Sequence, residues 1–319
     1  MKVTFWGTRG SLPSPMNAAE FRSKVKYLLM NARTVDLTSE TAVETYLDNI
    51  PFPRAMTFGG NTPCVEVSEG KERLILDCGT GLRPLGNLIM QEGFPPGSRI
   101  DILQTHTHWD HIMGFPFFEP ALSGKAEIHI HGVHPNLRQR FTAQMDRIHF
   151  PITLEEMGSA IFFHEIGSEE EITIGPFSIR NKGLHHPGGS YAYRISAGGK
   201  NVVFATDSEY THPGNAGYAP YVEFYRDADI LIFDAMYATL EQTVEKANYG
   251  HSTAVIGVDI ALSAQVKTLI LFHHSPEFND DQIAESYFNA QKYLDTRKAQ
   301  FPESDLNLLT SFDGMVIDV

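Results

Sequence analysis

The chain has 319 residues, of which 42% are hydrophobic and 20% are charged, as is typical of a globular protein. Its net charge of −14 gives no general attraction for a nucleic acid, and no local basic run supplies one. Two cysteines, Cys64 and Cys78, are too few for a disulfide scaffold. No apolar segment reaches the roughly 18 residues of a membrane span, and the N-terminus lacks a signal-peptide core, so we expect a cytoplasmic protein.

The predicted elements alternate between strands and helices after a first strand at 2–6. This alternation indicates α/β architecture. Strands are predicted at 63–68, 72–77, 100–104, 126–132, 161–166, 171–184, 190–196, 201–206, 229–233 and 267–272, helices at 82–92, 136–146, 252–264 and 280–298, and a closing pair of strands within 306–318.

The segment 17–56 differs from the rest because its apolar residues recur at helical spacing up to residue 50. Thr41 and Glu44 predict a capping box ahead of its second helix. Five basic and five acidic residues balance one another across 17–56, so the segment is not an RNA-binding arm. We expect a helical insert whose apolar stripe covers either the active-site mouth or a second copy of the chain in a homodimer.

The strongest chemical signal is His106-Thr-His108-Trp-Asp110-His111, which directly follows an apolar strand. Four potential metal ligands occur within six residues, and imidazole and carboxylate groups suit divalent transition metals. The spacing places His106 and His108 on one side of an extended turn, while Asp110 and His111 face a second position. Trp109 and the run Phe115–Phe118 are expected to be core around this site, with base stacking as the alternative.

This motif resembles that of the metallo-β-lactamase superfamily, and the resemblance covers about 1–10 and 57–319. It implies one αβ/βα sandwich domain over 1–319, with ligands at strand ends. His186 resembles the ligand that completes the first metal position, with His185 as the alternative. Asp207 resembles the aspartate that bridges the metals, although it could instead cap a helix. His273 resembles the last ligand, with His274 as the alternative.

Tyr249-Gly250-His251-Ser252-Thr253 opens a predicted helix and resembles the His-Ser-Thr motif of the RNase Z-like phosphodiesterase branch. His251 could protonate a leaving alkoxide or only pack, and Ser252 at the helix start could bind phosphate. Arg9 could contact substrate or form a structural ion pair. Asp77 could orient a ligand histidine. Glycine-bearing loops at 7–11, 59–62 and 77–81 also match this branch and are expected to be tight turns.

The resemblance implies a hydrolase with two divalent transition metals, Zn²⁺ or alternatively Mn²⁺, whose bridging hydroxide is the nucleophile. Asp110 is then both ligand and catalytic residue. The expected substrate is a small phosphodiester such as a cyclic nucleotide, without membrane contact, and the acidic charge disfavours nucleic acid. The alternatives are an RNase Z-like RNA endonuclease, a lactone or thioester hydrolase, and a non-catalytic binding protein.

Overall fold

The computed structural model describes residues 1–210 and 215–319, and two mixed β-sheets form its centre. The strands are β1 (Lys2–Gly7), β2 (Cys64–Glu69), β3 (Glu72–Leu76), β4 (Ser98–Gln104), β5 (Ala126–Gly132), β6 (Ala160–Glu165), β7 (Glu171–Ile174), β8 (Phe177–Leu184), β9 (Ser190–Ala197), β10 (Lys200–Ala205), β11 (Ile230–Asp234), β12 (Thr268–Phe272), β13 (Asn307–Thr310) and β14 (Val316–Asp318). The helices are α1 (Ala18–Asn31), α2 (Glu40–Asp48), α3 (Phe52–Ala55), α4 (Leu82–Glu92), α5 (Trp109–Ile112), α6 (Glu119–Leu122), α7 (Leu137–Gln144), α8 (Asn215–Tyr225), α9 (Leu240–Glu245), α10 (Ala254–Ser263) and α11 (Asp280–Lys298).

The two sheets share one design, in which half of each sheet is antiparallel and half is parallel. The first has the order β14-β1-β2-β3-β4-β5-β6 and becomes parallel from β3 onwards. The second has the order β13-β12-β11-β10-β9-β8-β7 and is parallel from β10 to β13. The parallel halves therefore bring several strand ends to one edge of the molecule, where ligands bind in parallel sheets.

The core has three apolar layers, because each sheet buries both of its faces. Val3, Phe5, Phe204 and Phe272 are among the side chains packed between the two sheets. Helices α4, α6 and α7 cover the outer face of the first sheet, and α8, α10 and α11 cover that of the second. This is the αβ/βα sandwich that the sequence predicts, and the fold prediction is confirmed.

Three helices follow the first strand, in the segment where the helical insert was predicted. Asn17 caps α1 together with Glu20, and Ser39 caps α2 by accepting from the Ala42 amide. The predicted capping box of Thr41 and Glu44 is wrong, because the N-cap of α2 is Ser39, two residues before the position that this box requires.

Other differences concern the chain after residue 170. The predicted strand 171–184 is divided by a turn at Gly175, whose φ of +52° favours glycine. The two C-terminal strands do not pair with each other, since β13 joins β12 and β14 joins β1 in the opposite sheet. No helix in the described part of the chain is long and apolar enough to cross a membrane.

Candidate metal centre and active site

The candidate site lies where the parallel strands of both sheets end. His106 and His108 lie in the loop after β4, and Asp110 and His111 lie in the short helix α5 that follows it. The loops after β8, β10 and β12 carry His186, Asp207 and His273. The backbone of Tyr191 donates to the Thr105 carbonyl across the two sheets at 3.2 Å. The site therefore belongs to both halves of the sandwich, and the fold is needed to assemble it.

The first group consists of His106, His108 and His186, whose ligand atoms lie within 4.8 Å of one another. His186 donates from Nδ1 to the Gly250 carbonyl at 2.8 Å, and its Nε2 is 3.0 Å from His108 Nδ1. The structure thus places His186 in the group, while His185 points outward and is exposed.

The second group consists of Asp110, His111, Asp207 and His273, and all four side chains are buried. Nε2 of His273 is 3.2 Å from one carboxylate oxygen of Asp110 and 3.2 Å from one of Asp207. Its neighbour His274 instead donates to the Ser311 carbonyl at 2.9 Å and stays outside the group. The carboxylate of Asp110 is also fixed by the Ser11 amide at 2.7 Å.

Asp207 joins the two groups because its two oxygens face different histidines. Oδ1 is 3.2 Å from Nε2 of both His111 and His273. Oδ2 is 3.6 Å from His106 Nε2 and 3.8 Å from His186 Nε2. A carboxylate held in this way can offer one oxygen to each of two cations.

The backbone at the site is strained. Ser11, Asp77, Asp207 and His273 have φ values of +61°, +62°, +51° and +59°, a region that residues with side chains seldom adopt. Such conformations persist only where the surrounding structure imposes them. Here, the strain turns the side chains that follow β3, β10 and β12 into the cleft.

Asp77 orients His111, as the sequence suggested. Its carboxylate accepts from His111 Nδ1 at 2.7 Å and from the Thr105 amide at 2.8 Å, and Gln104 donates to it at 2.9 Å. Burial raises the pKa of Asp77, although the contacts with His111 and Thr105 oppose this shift. Because Nδ1 of His111 is fixed by Asp77, its Nε2 is the nitrogen directed at the second group.

Burial and neighbouring charges shift the pKa values of the site residues in both directions. Burial raises the pKa of Asp207, but His111 and His273 outweigh burial and hold it well below its usual value. Burial and the neighbouring His111 lower the pKa of His106 well below its ordinary range. Ionised Asp207 and neutral His106 are in the protonation states that bind metals. Burial lowers the pKa of His111, but Asp207 and Asp110 outweigh burial and raise that pKa well above its usual value.

The residues present fit two divalent cations. His106 Nε2 is buried and has no hydrogen-bond partner among the described residues, which is costly unless a ligand satisfies it. The remaining donors are imidazole nitrogens and carboxylate oxygens, a set that suits Zn²⁺ or Mn²⁺.

His251 stands beside both groups and is held by Asp234. Its Nδ1 is 2.9 Å from Asp234 Oδ2, and its ring stacks on that of His273 with centroids 5.1 Å apart. Burial lowers the pKa of His251, but Asp234 outweighs burial and raises the pKa to about 9. Since Asp234 holds Nδ1, Nε2 of His251 is the nitrogen without a hydrogen-bond partner among the described residues. His251 also completes two further ligand groups, one with His186 and Asp207 and one with Asp234 and His273.

Two acidic residues that carry no sequence motif position His251 and the segment before it. Asp234 ends the buried strand β11, much as Asp207 follows β10, and this strand-end position was the available signal. Glu209 accepts from the amides of Asn248 and Gly250, at 2.7 and 3.3 Å, and so fixes the segment that precedes His251.

The two predicted substrate-binding residues differ: the Arg9 guanidinium is engaged by carbonyls, whereas the buried Ser252 hydroxyl has no hydrogen-bond partner among the described residues. Arg9 is 3% exposed and donates to the carbonyls of Gly59, Ser275 and Phe278, so it ties loops together. Ser252 is fully buried, and Thr253 rather than Ser252 caps α10. The contacts of Arg9, with its ion pair to Asp280 at 3.6 Å, favour the structural role for Arg9, and substrate binding by Ser252 stays a prediction.

A cavity of about 400 Å³ opens at the site. Its lining consists of Ser11, Thr107, His108, Trp109, Asp110, Asp207 and His251. The expectation that Trp109 is core is wrong, since its side chain is 76% exposed. Phe115 and Phe118 are buried as expected, but Phe117 is also exposed.

Comparison with known proteins places these features in a family. Residues 72–274 match the profile of the Beta-lactamase superfamily domain. Ribonuclease Z from Archaeoglobus fulgidus is 28% identical over 268 residues, which cover 69% of this chain and 84% of that protein. The probable metallo-hydrolase YhfI from Bacillus subtilis is 27% identical over 235 residues, which cover 70% and 84%.

Solved structures show the same fold. The crystal structure of YhfI from Bacillus subtilis superimposes with a TM-score of 0.64 at 20% identity and covers 99% of both chains. A diphosphatase from the PhnP family gives a TM-score of 0.59 at 18% identity and covers 100% of this chain and 97% of its own.

Proposed function

This chain is a hydrolase of the beta-lactamase superfamily, and from that premise we propose that it cleaves small phosphodiesters at a centre of two divalent cations. The proposal rests on one observation above all: Asp207 directs one carboxylate oxygen to each of two histidine groups. The likeness to a diphosphatase and to Ribonuclease Z supports phosphoester chemistry in general.

We assign His106, His108 and His186 to one cation, Asp110, His111 and His273 to the other, and Asp207 to both. When bound, a pair of such cations polarises the phosphoryl group and makes water acidic enough to attack at neutral pH. Zn²⁺ is the first choice for these ligands, and Mn²⁺ is the alternative.

The protein supplies proton transfer beside these ligands. His251 faces the cavity and is oriented by Asp234, so its Nε2 can donate a proton to the leaving alkoxide. Asp110, which Ser11 fixes through its amide, is placed to accept a proton from the attacking water as well as to hold a cation.

The size and charge of the site favour a small substrate. A cavity of about 400 Å³ is at the small end of ordinary ligand pockets. At a net charge of −14, a long polyanion is repelled, whereas one phosphodiester can be neutralised locally by the cations. A substrate with the dimensions of a cyclic nucleotide satisfies both conditions.

An RNA endonuclease is the second candidate, because Ribonuclease Z from Archaeoglobus fulgidus matches 69% of this chain. A hydrolysis panel decides between the candidates. Metal-loaded protein is tested on bis-p-nitrophenyl phosphate, cyclic mono- and dinucleotides, precursor tRNA, lactones and thioesters. We expect hydrolysis of at least one small phosphodiester and little cleavage of precursor tRNA. Cleavage of tRNA alone would reverse the ranking, and activity on lactones or thioesters alone would contradict phosphodiester chemistry.

The role of His251 has its own signature. His251→Ala should retain the metals but slow turnover by roughly 10²–10⁴-fold on a substrate with a poor leaving group. The loss should be smaller on bis-p-nitrophenyl phosphate, because p-nitrophenolate leaves without a proton. Equal losses on both substrates would eliminate the proton-donor role, and loss of metal would make His251 a ligand.

We propose further that the insert 17–56 mediates a homodimer. Phe21, Val25 and Leu29 form one stripe along α1 and are exposed in the single chain, so the stripe does not cover the cleft. The balanced charge of the insert allows two acidic molecules to approach there. Sedimentation should show a dimer that Phe21→Asp combined with Leu29→Asp dissociates. A monomer at all concentrations would contradict this.

A further inference from the structure

Trp109 is the most exposed large aromatic side chain at the site. It lies between His108 and Asp110 at the start of α5, and its side chain is 76% exposed while Asp110 and His111 are buried. Within the residues that the structure describes, its ring stacks on no other aromatic ring, and its indole N–H has no acceptor. The other tryptophan, Trp6, is less exposed and donates to Glu66 at 2.9 Å.

The position of Trp109 distinguishes it from an ordinary exposed apolar residue. Scattered apolar side chains are normal on protein surfaces. Trp109, however, forms part of the cavity wall, and it is the only large apolar side chain among the seven residues that line the cavity. Among these lining residues, a flat apolar part of a substrate therefore has the indole ring to contact, and the polar side chains remain for the reacting group.

The other wall of the cavity is polar, in contrast to the apolar indole ring of Trp109. His108, Asp110, Asp207 and His251 supply it, and these are the residues to which we assign cation binding and proton transfer. A molecule with an anionic group at one end and an aromatic ring at the other matches the two walls together. Aromatic rings stack on tryptophan with a gain that does not depend on the identity of the base.

We propose that Trp109 is the binding platform for an aromatic ring of the substrate, such as the base of a nucleotide. This inference rests on the proposed function for the placement of the phosphoryl group at the polar wall. It adds a substrate class to that function, namely phosphodiesters that carry a flat ring on the alcohol. Trp109 acts in affinity and selection, and the chemical step remains with the residues of the polar wall.

Tryptophan fluorescence provides a test that does not depend on turnover. In the Trp6→Phe protein, Trp109 is the only tryptophan, because the chain contains two. Adenosine 5′-monophosphate should quench its emission saturably in the metal-loaded protein. Ribose 5-phosphate, which lacks the base, should bind without comparable quenching. No saturable quenching by adenosine 5′-monophosphate up to about 10 mM would overturn the proposal.

Substitution of Trp109 completes the test, with binding measured by calorimetry. Trp109→Ala should weaken adenosine 5′-monophosphate by about 5- to 100-fold, and Trp109→Phe should restore most of the affinity. Ribose 5-phosphate should bind all three proteins within about twofold. Equal affinity of adenosine 5′-monophosphate for wild type and Trp109→Ala would overturn the proposal. So would a parallel loss of ribose 5-phosphate binding, which would show that Trp109 only supports the loop.

Further measurements distinguish this proposal from the proposed function and from other roles of Trp109. Phenyl phosphate carries a ring without a sugar, and its affinity relative to adenosine 5′-monophosphate shows whether a base or any aryl ester is preferred. Nucleotide binding at Trp109 without hydrolysis of any phosphodiester would refute the proposed function but support the role of Trp109 in binding an aromatic ring. Hydrolysis of phosphodiesters with binding that does not depend on the base would support the proposed function and refute the role of Trp109. A change in the oligomeric state of Trp109→Ala in solution, with nucleotide affinity unaltered, would overturn the proposal and assign the side chain to a contact between two copies of the chain.

Discussion

Two histidine clusters lie among the residues that the structure describes, and only in one of them do the ligand atoms converge as in a metal centre. The first is the pair of ligand groups joined by Asp207. The second lies in the first sheet, where His129 and His131 on β5 adjoin His164 on β6 and Asp101 on β4. Both contain buried imidazoles beside carboxylates, so residue type alone does not separate them.

The clusters differ in how their nitrogen atoms are used. In the second, His129 Nδ1 and His164 Nε2 form a hydrogen bond of 2.9 Å, and His131 donates to Asp101 at 2.8 Å. The rings of His131 and His164 stack with centroids 4.5 Å apart. These histidines lie on regular strands with ordinary φ values. Among the described residues, they form no group in which three ligand atoms lie within 4.8 Å of one another.

In the first cluster, the ligand nitrogens converge because the backbone adopts strained conformations with positive φ. Asp207 and His273 have positive φ, and Asp77 and Gly250 fix the outer nitrogens of His111 and His186. The inner nitrogens are thereby directed at shared points, and that of His106 has no partner at all among the described residues. Nε2 of His129 in the second cluster also lacks a hydrogen-bond partner among the described residues, so the clusters are distinguished by the convergence of their ligand atoms and not by an unpaired nitrogen.

The largest expected effect distinguishes the two clusters by metal content. His106→Ala should lose the first cation preferentially, and activity should fall on the order of 10³-fold because charge stabilisation is lost. His131→Ala removes an equally buried imidazole and serves as the matched control. It should keep full metal content in plasma emission spectroscopy. Loss of metal from His131→Ala would show that the second cluster also binds it.

The next effect concerns the orienting carboxylate. Asp77→Asn removes the negative charge that accepts from His111, so affinity for the second cation should fall roughly 10- to 100-fold. Competition with a chromophoric chelator measures this affinity. Asp101→Asn is the matched change in the second cluster and should leave it unaltered. A normal affinity in Asp77→Asn would show that His111 is oriented by other contacts.

A smaller effect is expected from the loop that carries His251. At Gly250, with a φ of +86°, an added Cβ would lie 2.1 Å from His186 Nδ1. Gly250→Ala should therefore displace His186 and weaken the first cation about tenfold. Gly97→Ala has a similar φ of +82° and open space around it, so it carries the backbone strain without the clash. Equal metal affinity in the two variants would contradict the role of Gly250.

The smallest effect is confined to stability. Burial raises the pKa of Asp101, but His131 and Arg99 outweigh burial and lower the pKa to about 2. A lowered folded-state pKa stabilises the protein above the ordinary value of 3.8, and this contribution is lost as the pH falls toward about 2. The difference in unfolding free energy between wild type and Asp101→Asn should therefore shrink from pH 4.5 to pH 2.5 in urea titrations. A difference that grows over this range would contradict the ion-pair assignment.

Much of the architecture could be predicted from the sequence, because strands and helices have distinct apolar periods. Helix 280–298 was predicted with the bounds that the structure shows for α11. Helix α8 was missed because Pro220 interrupts its pattern, and short α5 contains mostly site residues rather than an apolar stripe.

The structure brings together the predicted ligands that are close in sequence or carry a motif, whereas contacts between distant residues could not be read from the sequence. Arg9 donates hydrogen bonds to carbonyls of residues as distant in sequence as Phe278. The sequence alone could not show that the guanidinium is engaged in these contacts. Exposure of Trp109 likewise depends on how the loops around it pack. Asp234 carries no motif beyond its strand-end position, and only the structure pairs it with His251.

The most direct test is the metal content of carefully loaded wild-type protein, measured together with that of Asp207→Ala. If Asp207 serves both cations, the wild type should contain about two equivalents per chain, and Asp207→Ala should bind both of them more weakly. One equivalent or none in the wild type would contradict the two-cation centre. Two tightly held equivalents in Asp207→Ala would contradict the bridging role of the residue on which the account depends.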